Sequence, residues 1–491
     1  MDAVAAATPR FDNSYARLPE RFHARQAPLA VKAPALVRLN APLARDLGFE
    51  PEARSPEDWA QVFSGNALPE GAEPIAMAYA GHQFGQFVPQ LGDGRALLIG
   101  EVVDAQGIRR DIQLKGSGRT PFSRGGDGRA ALGPVLREYV VSEAMHALGV
   151  PTTRALAAVT TGERVIREGV LPGAVLTRVA RGHVRVGTLQ YFAAREDREA
   201  LEILVAHTLE RVAPERAGEA CPALALIEHV AEGQARLVAR WMALGFIHGV
   251  MNTDNTSLVC ETIDYGPCAF MDEYHPGRVF SSIDMQGRYA YGNQPRLMEW
   301  NLCRMAETLL PLIDEDTDTA VARATAAVER FGPAFEAAWL GEMRAKLGLL
   351  AEEDDDAALA TRLLGLMEQA EADFTLTFRA LGRAAEGDDA RLDGQIGAAE
   401  GASDWIADWR ARLARDRGGA RARLDAANPA VIPRNHRIER AIETALEEGD
   451  LGPFHDMVER LADPFAAAAE DSQEARPPRP EERVTATFCG T

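Results

Sequence analysis

The sequence predicts an α+β fold in two lobes, strand-rich first and helical second. Three observations lead there. From about residue 75 to residue 187, short apolar runs alternate with glycine turns, a strand pattern. Beyond residue 190 the apolar residues recur at helical spacing. A polar segment, His248-Gly249-Val250-Met251-Asn252-Thr253-Asp254-Asn255, then follows a long helical pattern, with Ile263-Asp264-Tyr265-Gly266 close behind.

Taken in order, residues 1–74 read as an irregular N-terminal extension with short helices and several prolines. Residues 75–190 form the strand-rich lobe. Within it, 95–102 and 110–115 are expected as adjacent strands joined by a turn at Gly107. A helix over 134–148 is opened by Pro134 and closed by Gly149, and 176–179 reads as another strand. Residues 191–400 form the helical lobe. Helices are expected over 195–212 and over 223–246, where Leu226, Val230, Leu237, Trp241 and Leu244 share a face and Gly245 breaks the run. The pattern continues over 297–313, 318–347 (interrupted at Gly332-Pro333) and 357–385. Residues 401–491 form a helical C-terminal extension, with helices over 402–426 and 438–448. Its tail, 466–483, is rich in Ala, Glu and Pro and reads as flexible.

Composition narrows the function. The 491 residues carry 46% hydrophobic and 26% charged side chains, those of a soluble chain with a sizeable core. No apolar run approaches the roughly 18 residues that span a bilayer, so no membrane association is expected. Residues 1–26 hold arginines but no apolar h-region, and no secretory signal is expected. Five scattered cysteines fit a reducing, cytoplasmic setting. A net charge of −20 argues against nucleic acid as partner. Positive charge is concentrated instead between Arg109 and Arg137, a basic island suited to a small polyanion such as a nucleotide triphosphate.

The two polar segments carry the chemistry. Against the protein-kinase loop H-R-D-x-x-x-x-N, His248 takes the histidine position and Asn255 the metal-binding asparagine position. Val250 stands where the catalytic aspartate belongs, and it cannot accept a proton. Asp264 opens a Tyr variant of D-F-G, whose aspartate holds the metal. Asn255 and Asp264 are thus candidate oxygen ligands for Mg2+ or Mn2+. Asp254, the only carboxylate inside the loop, is the candidate substitute base. Lys115 is one of three lysines beside fifty arginines. Ending an apolar strand, it reads as the ammonium that reaches nucleotide phosphates, paired to Glu138 rather than Glu143 on the next helix. The Gly/Arg loop 116–129 follows it, and Gly92-Asp93-Gly94-Arg95 precedes the first strand. Arg178, Arg181 and Arg185 form a second basic cluster. His248 reads as structural, and His82 as packed. Cys268, near the metal loop, and Cys489, on the tail, are a candidate redox pair. The order of parts is that of a bilobal protein-kinase-like (pseudokinase) fold.

On these residues the chain resembles the selenoprotein O (SelO, YdiU) family of pseudokinase protein adenylyltransferases. The motifs are 80–85, 89–95, 113–124, 248–255, 263–266 and 428–436, and the resemblance covers nearly the whole chain. It implies an inverted nucleotide and transfer of AMP from ATP, as co-substrate, to Ser, Thr or Tyr hydroxyls of proteins, with release of pyrophosphate. It implies nucleotide contacts at Gly92, Gly94, Arg95, Lys115, Asp127, Gly128, Arg178 and Arg185, a base at Asp254, and metal ligands at Asn255 and Asp264. Members are also implied to use UTP with manganese. The tail Phe488-Cys489-Gly490-Thr491 departs from members that end in selenocysteine. Two other readings stay open: a true phosphotransferase, which Val250 opposes, and a non-catalytic nucleotide-binding scaffold, which Asp254, Asn255 and Asp264 together oppose.

Overall fold

The strands Ala96–Val103 and Arg109–Lys115 pair antiparallel, Ala96 opposite Lys115 and Val103 opposite Arg109, across the expected turn at Gly107. They lie inside an antiparallel sheet in the computed structural model, which describes residues 8–167 and 169–488. The strand order is His23–Arg25, Ile75–Met77, Ala96–Val103, Arg109–Lys115, Val170–Ala180, Arg154–Ile166, Ala35–Leu39, and the short strand Ala130–Ala131 pairs with Val170–Ala180. Two of these strands come from the first seventy-four residues, which the sequence reading made irregular. At three and five residues they are too short to show a period-two pattern. The helices Ala41–Asp46 and Pro56–Ser64, also from this segment, cover one sheet face. Leu43, Trp59 and Phe63 pack there with Val102, Ile112 and Val159. The other face receives the helix Leu132–Ala147, through Val135, Leu136 and Tyr139 against Leu98, Ala158 and Leu176.

The helical part begins with Val186–Ala193 and Arg198–Val212. The helix Pro222–Ala243 follows, its Leu226, Val230, Leu237 and Trp241 buried as the spacing predicts. Past Gly245, Phe246–Ile247 pairs with Ala269–Phe270 as a two-stranded ribbon. That ribbon closes the loop 248–268, so the two polar segments lie side by side. His248 completes the link, its ring Nε2 bonded to the Ile263 carbonyl at 2.9 Å.

Three expected helices are each two. Residues 318–347 divide into Thr317–Val328 and Phe331–Lys346, with Gly332-Pro333 inside the first turn of the second rather than at the break. A proline is tolerated there because first-turn amides have no intrahelical acceptor. Residues 357–385 divide into Asp356–Gln369 and Phe374–Ala384, the second capped by Asp373, which accepts from Leu376 N at 2.8 Å. Residues 402–426 divide into Ala402–Leu413 and Ala420–Ala427 around Gly418-Gly419. The C-terminal segment that the sequence reads as flexible over 466–483, and the residues after it, touch the rest of the fold at several points. Glu470 accepts from Arg379 at 2.8 Å, Ala475 is buried, and Thr487 Oγ1 donates to the Pro267 carbonyl at 2.6 Å. Among the described residues no helix is long and apolar enough to cross a membrane.

Candidate active site

A cavity of about 800 Å³ opens between the sheet and the 248–268 loop. Gly92, Gly94, Arg95, Lys115, Asp127, Gly128, Glu138, Arg178, Arg185, Asp254, Asn255 and Asp264 all line it. Residues spread over 170 positions of sequence therefore meet at one place. Seven basic and five acidic side chains face this cavity in a chain of net charge −20, so it is locally positive.

Its floor is a ring of four charges. Lys115 Nζ donates to Glu138 Oε2 at 2.6 Å and to Asp264 Oδ1 at 2.7 Å. Arg178 donates to Glu138 Oε1 at 2.6 Å and to the same Asp264 oxygen at 2.8 Å. Strand register explains the meeting: Arg178 lies opposite Gln113 and Leu176 opposite Lys115, which puts Lys115, Gln113 and Arg178 on one sheet face beneath the helix that bears Glu138. Burial alone would raise both carboxyls, but Lys115 and Arg178 hold Glu138 low and, with Arg185, hold Asp264 well below the usual carboxylate range. Asp264 also sits at φ +66°, a left-handed conformation that Asp visits more readily than most residues with a Cβ. Glu143, the alternative partner for Lys115, instead holds Arg154 and Asn40.

Arg185 Nη1 donates to the Asp254 carbonyl at 2.7 Å and its guanidinium stacks 4.6 Å over the Tyr79 ring. The Asp254 carboxyl is buried. One oxygen, Oδ2, accepts from Gln83 at 3.1 Å, and the other, Oδ1, has no partner. Burial, only partly offset by Gln83 and Arg185, pushes this carboxyl up to about 6, the range in which a group can take and return a proton near neutrality.

Asn255 spends its amide nitrogen on the Val250 carbonyl at 3.0 Å, leaving its oxygen for a cation. With the Asp264 carboxylate this makes a hard-oxygen donor set suited to Mg2+ or Mn2+ that keeps most positions for phosphate and water. Among the described residues no cluster of three or more His, Cys, Asp or Glu offers a richer site.

The basic island disperses. Lys115, Arg124 and Arg129 line the cavity, whereas Arg109 and Arg110 pair with Asp12, Glu101 and Asp104 at the far end of the sheet. Arg137 binds the Gly266 and Cys268 carbonyls and Glu439, tying the segment after Asp264 to the helix Asn435–Glu447. Arg181 does not line the cavity; its amide donates to Glu261. His82 is packed, bonded to Gln190 and set against Trp300. Cys268 is buried, its thiol pushed up to about 12 by burial, and Cys489 lies outside the described residues.

Three lining residues escaped the sequence reading. Arg167 grips Asp127 through two bonds of 2.9 and 3.0 Å, Gln83 reaches Asp254, and Tyr79 underlies Arg185. The only signal was position: Gln83 stands beside the His82 that drew notice.

The chain is similar to known proteins along nearly its whole length. Residues 6–462 match the family described as "Protein adenylyltransferase SelO". A protein of Rhizobium rhizogenes named "Protein nucleotidyltransferase YdiU" is 58% identical over 490 residues, 98% of this chain and 97% of its own. Its namesake in Agrobacterium fabrum is 57% identical over 486 residues, 98% of this chain and all of its own. That of Methylorubrum extorquens is 58% identical over 494 residues, 98% of this chain and 99% of its own. A family match over nearly the whole chain, joined to such identities, leaves one conclusion: the chain belongs to the SelO family of protein nucleotidyltransferases.

Proposed function

We propose that this protein transfers AMP from ATP to Ser, Thr or Tyr hydroxyls of other proteins and releases pyrophosphate. The observation that carries it is the pairing of Val250 with Asp254. The kinase base position is apolar, and a buried carboxyl four residues on lines the cavity. In this reading the acceptor oxygen attacks the α-phosphorus, the bond to the α–β bridging oxygen breaks, pyrophosphate leaves, and Asp254 takes the hydroxyl proton. Lys115, Arg178 and Arg185 neutralise phosphate charge from fixed positions, so little reorganisation accompanies the reaction. Gly92, Gly94, Arg95, Asp127 and Gly128 form the nucleotide-binding wall. A divalent Mg2+ or Mn2+ at Asn255 and Asp264 supplies further neutralisation of the phosphates when bound.

The same proposal makes the fold a bilobal pseudokinase, with a nucleotide-binding lobe over 75–190, a helical lobe over 191–400 and extensions at 1–74 and 401–491. It is supported by the Lys115–Glu138 pair on an antiparallel sheet facing the loop that bears Asn255 and Asp264. The relatives' name specifies no base, which keeps UMP transfer from UTP with manganese as the second reading. Incubation with nucleotides labelled at the α or the γ phosphate tests both. Protein-bound label from α-labelled ATP, and none from γ-labelled ATP, is expected; γ-label alone overturns the proposal, and α-label from UTP only selects the second reading.

A further inference from the structure

The hairpin 81–88 lies directly on the segment Asn252-Thr253-Asp254. Three consecutive hairpin residues meet three consecutive loop residues. Phe84 N donates to Asn252 Oδ1 at 3.1 Å, His82 N to Thr253 Oγ1 at 2.6 Å, and Gln83 Nε2 to Asp254 Oδ2 at 3.1 Å. The seat is braced from behind. Thr253 Oγ1 donates to Gln190 Oε1 at 2.7 Å, and Tyr289 OH donates to Asn252 Oδ1 at 2.6 Å. Gly81 permits the close approach, because a Cβ there would stand 3.0 Å from Asp254 Cβ and Oδ1.

Two of the three bonds start from backbone amides and would hold the hairpin whatever stood at position 83. The third is different. It comes from a side chain, ends on the carboxyl read as the base, and lies on the wall of the reaction cavity. A carboxylate free to turn presents either oxygen; this one is held, with Gln83 on Oδ2 and Oδ1 packed toward Gly81. We propose that Gln83 is a positioning residue for the transfer step, fixing through Oδ2 the orientation in which the Asp254 carboxyl meets the acceptor hydroxyl. This inference rests on the reading of Asp254 as the base.

The test measures α-phosphate transfer by the whole protein, Gln83→Met, Asp254→Ala and the double variant, with nucleotide affinity and melting temperature determined for each. Methionine keeps the length of the side chain and removes the donor. Gln83→Met is expected to lower kcat about 10–100-fold, the usual effect of losing a partner that orients a reacting group, with KM for ATP, nucleotide affinity and melting temperature unchanged. In the Asp254→Ala background it is expected to cost nothing further. Gln83→Asn keeps the polarity but falls one methylene short and is expected to lose as much as Gln83→Met. An equal loss from Gln83→Met with and without Asp254 overturns the proposal, as does wild-type kcat in Gln83→Met or in Gln83→Asn. A wild-type rate in Asp254→Ala shows instead that the base reading has failed, and the proposal goes with it.

Discussion

Lys115 occupies a slot cut for an ammonium. Its Nζ lies 2.6 and 2.7 Å from the two carboxylates that Arg178 grips from the other side, so no second planar guanidinium fits between them. Lys115→Arg is therefore expected to lose nearly as much transfer activity as Lys115→Ala. Recovery of most activity by arginine would reduce Lys115 to a source of charge. Asp264 is the other shared member of the ring. Asp264→Asn keeps the shape but removes the charge that faces Lys115, Arg178, Arg185 and the proposed metal. A loss of at least about 10²-fold in kcat is expected, the scale of removing one preorganised electrostatic partner, and near-normal transfer would exclude a ligand role. Lys346, another of the three lysines, is buried too: burial pushes it down to about 7, and its Nζ donates to Asn428 and lies 4.1 Å over Phe378. The scarcity of lysine was informative because arginine serves at most other basic positions.

At the scale of elements, the loop 116–129 depends on backbone that only glycine supplies. Gly128 has φ +70°, and a Cβ there would stand 2.1 Å from the Gly118 carbonyl oxygen. A left-handed residue with a Cβ costs roughly 1–2 kcal/mol, and the carbonyl clash adds to it. Gly128→Ala is expected to weaken ATP binding about tenfold or more, at about 1.4 kcal/mol per decade, without changing helix content. Unchanged affinity in a nucleotide titration would remove this loop from the binding wall. The strands 95–102 and 110–115 and the helix 134–148 were legible because each combines a clear period with its own turn or stop. The splits near residues 329, 371 and 418 were not. Near 371 the apolar spacing runs on through the break, near 329 the visible Gly332-Pro333 falls inside the second helix, and near 418 only the Gly418-Gly419 pair marks the split; side-chain caps such as Asp373 take effect only once the flanking helices have partners to pack on.

For the whole molecule, charge buried behind the sheet sets a pH dependence. Glu261 accepts from the Arg181 amide at 2.9 Å, yet burial pushes its carboxyl up to about 7. The folded state then keeps a proton that the unfolded chain releases in the ordinary carboxylate range, so folding binds protons and this group's stability contribution falls as pH rises to 7. Glu261→Gln cannot ionise. It is expected to exceed wild type in stability at pH 8 by up to about 3 kcal/mol and to match it at pH 4, read from melting temperatures at the two values. A gap independent of pH would show that Glu261 is not the titrating group. Nucleotide with divalent metal should also raise the melting temperature. A ligand at a hundred times its Kd adds about 2.7 kcal/mol to the folded state, and failure to stabilise at saturating ATP and Mg2+ would leave the cavity without its proposed occupant.

The sequence by itself determined the chemistry. Residue types at set spacings, His248 to Asn255 and Asp264 to Gly266, are what the proposed catalytic loop without its usual base is read from, because ligand and base chemistry belongs to the side chains themselves. The tertiary structure decided which candidates act together. Arg178 and Arg185 face the cavity while Arg181 does not, because sheet register and the turn after Ala180 set which way each points. Gln83 reaches Asp254 across 171 residues because a hairpin folds onto a loop, and no local period records such a contact.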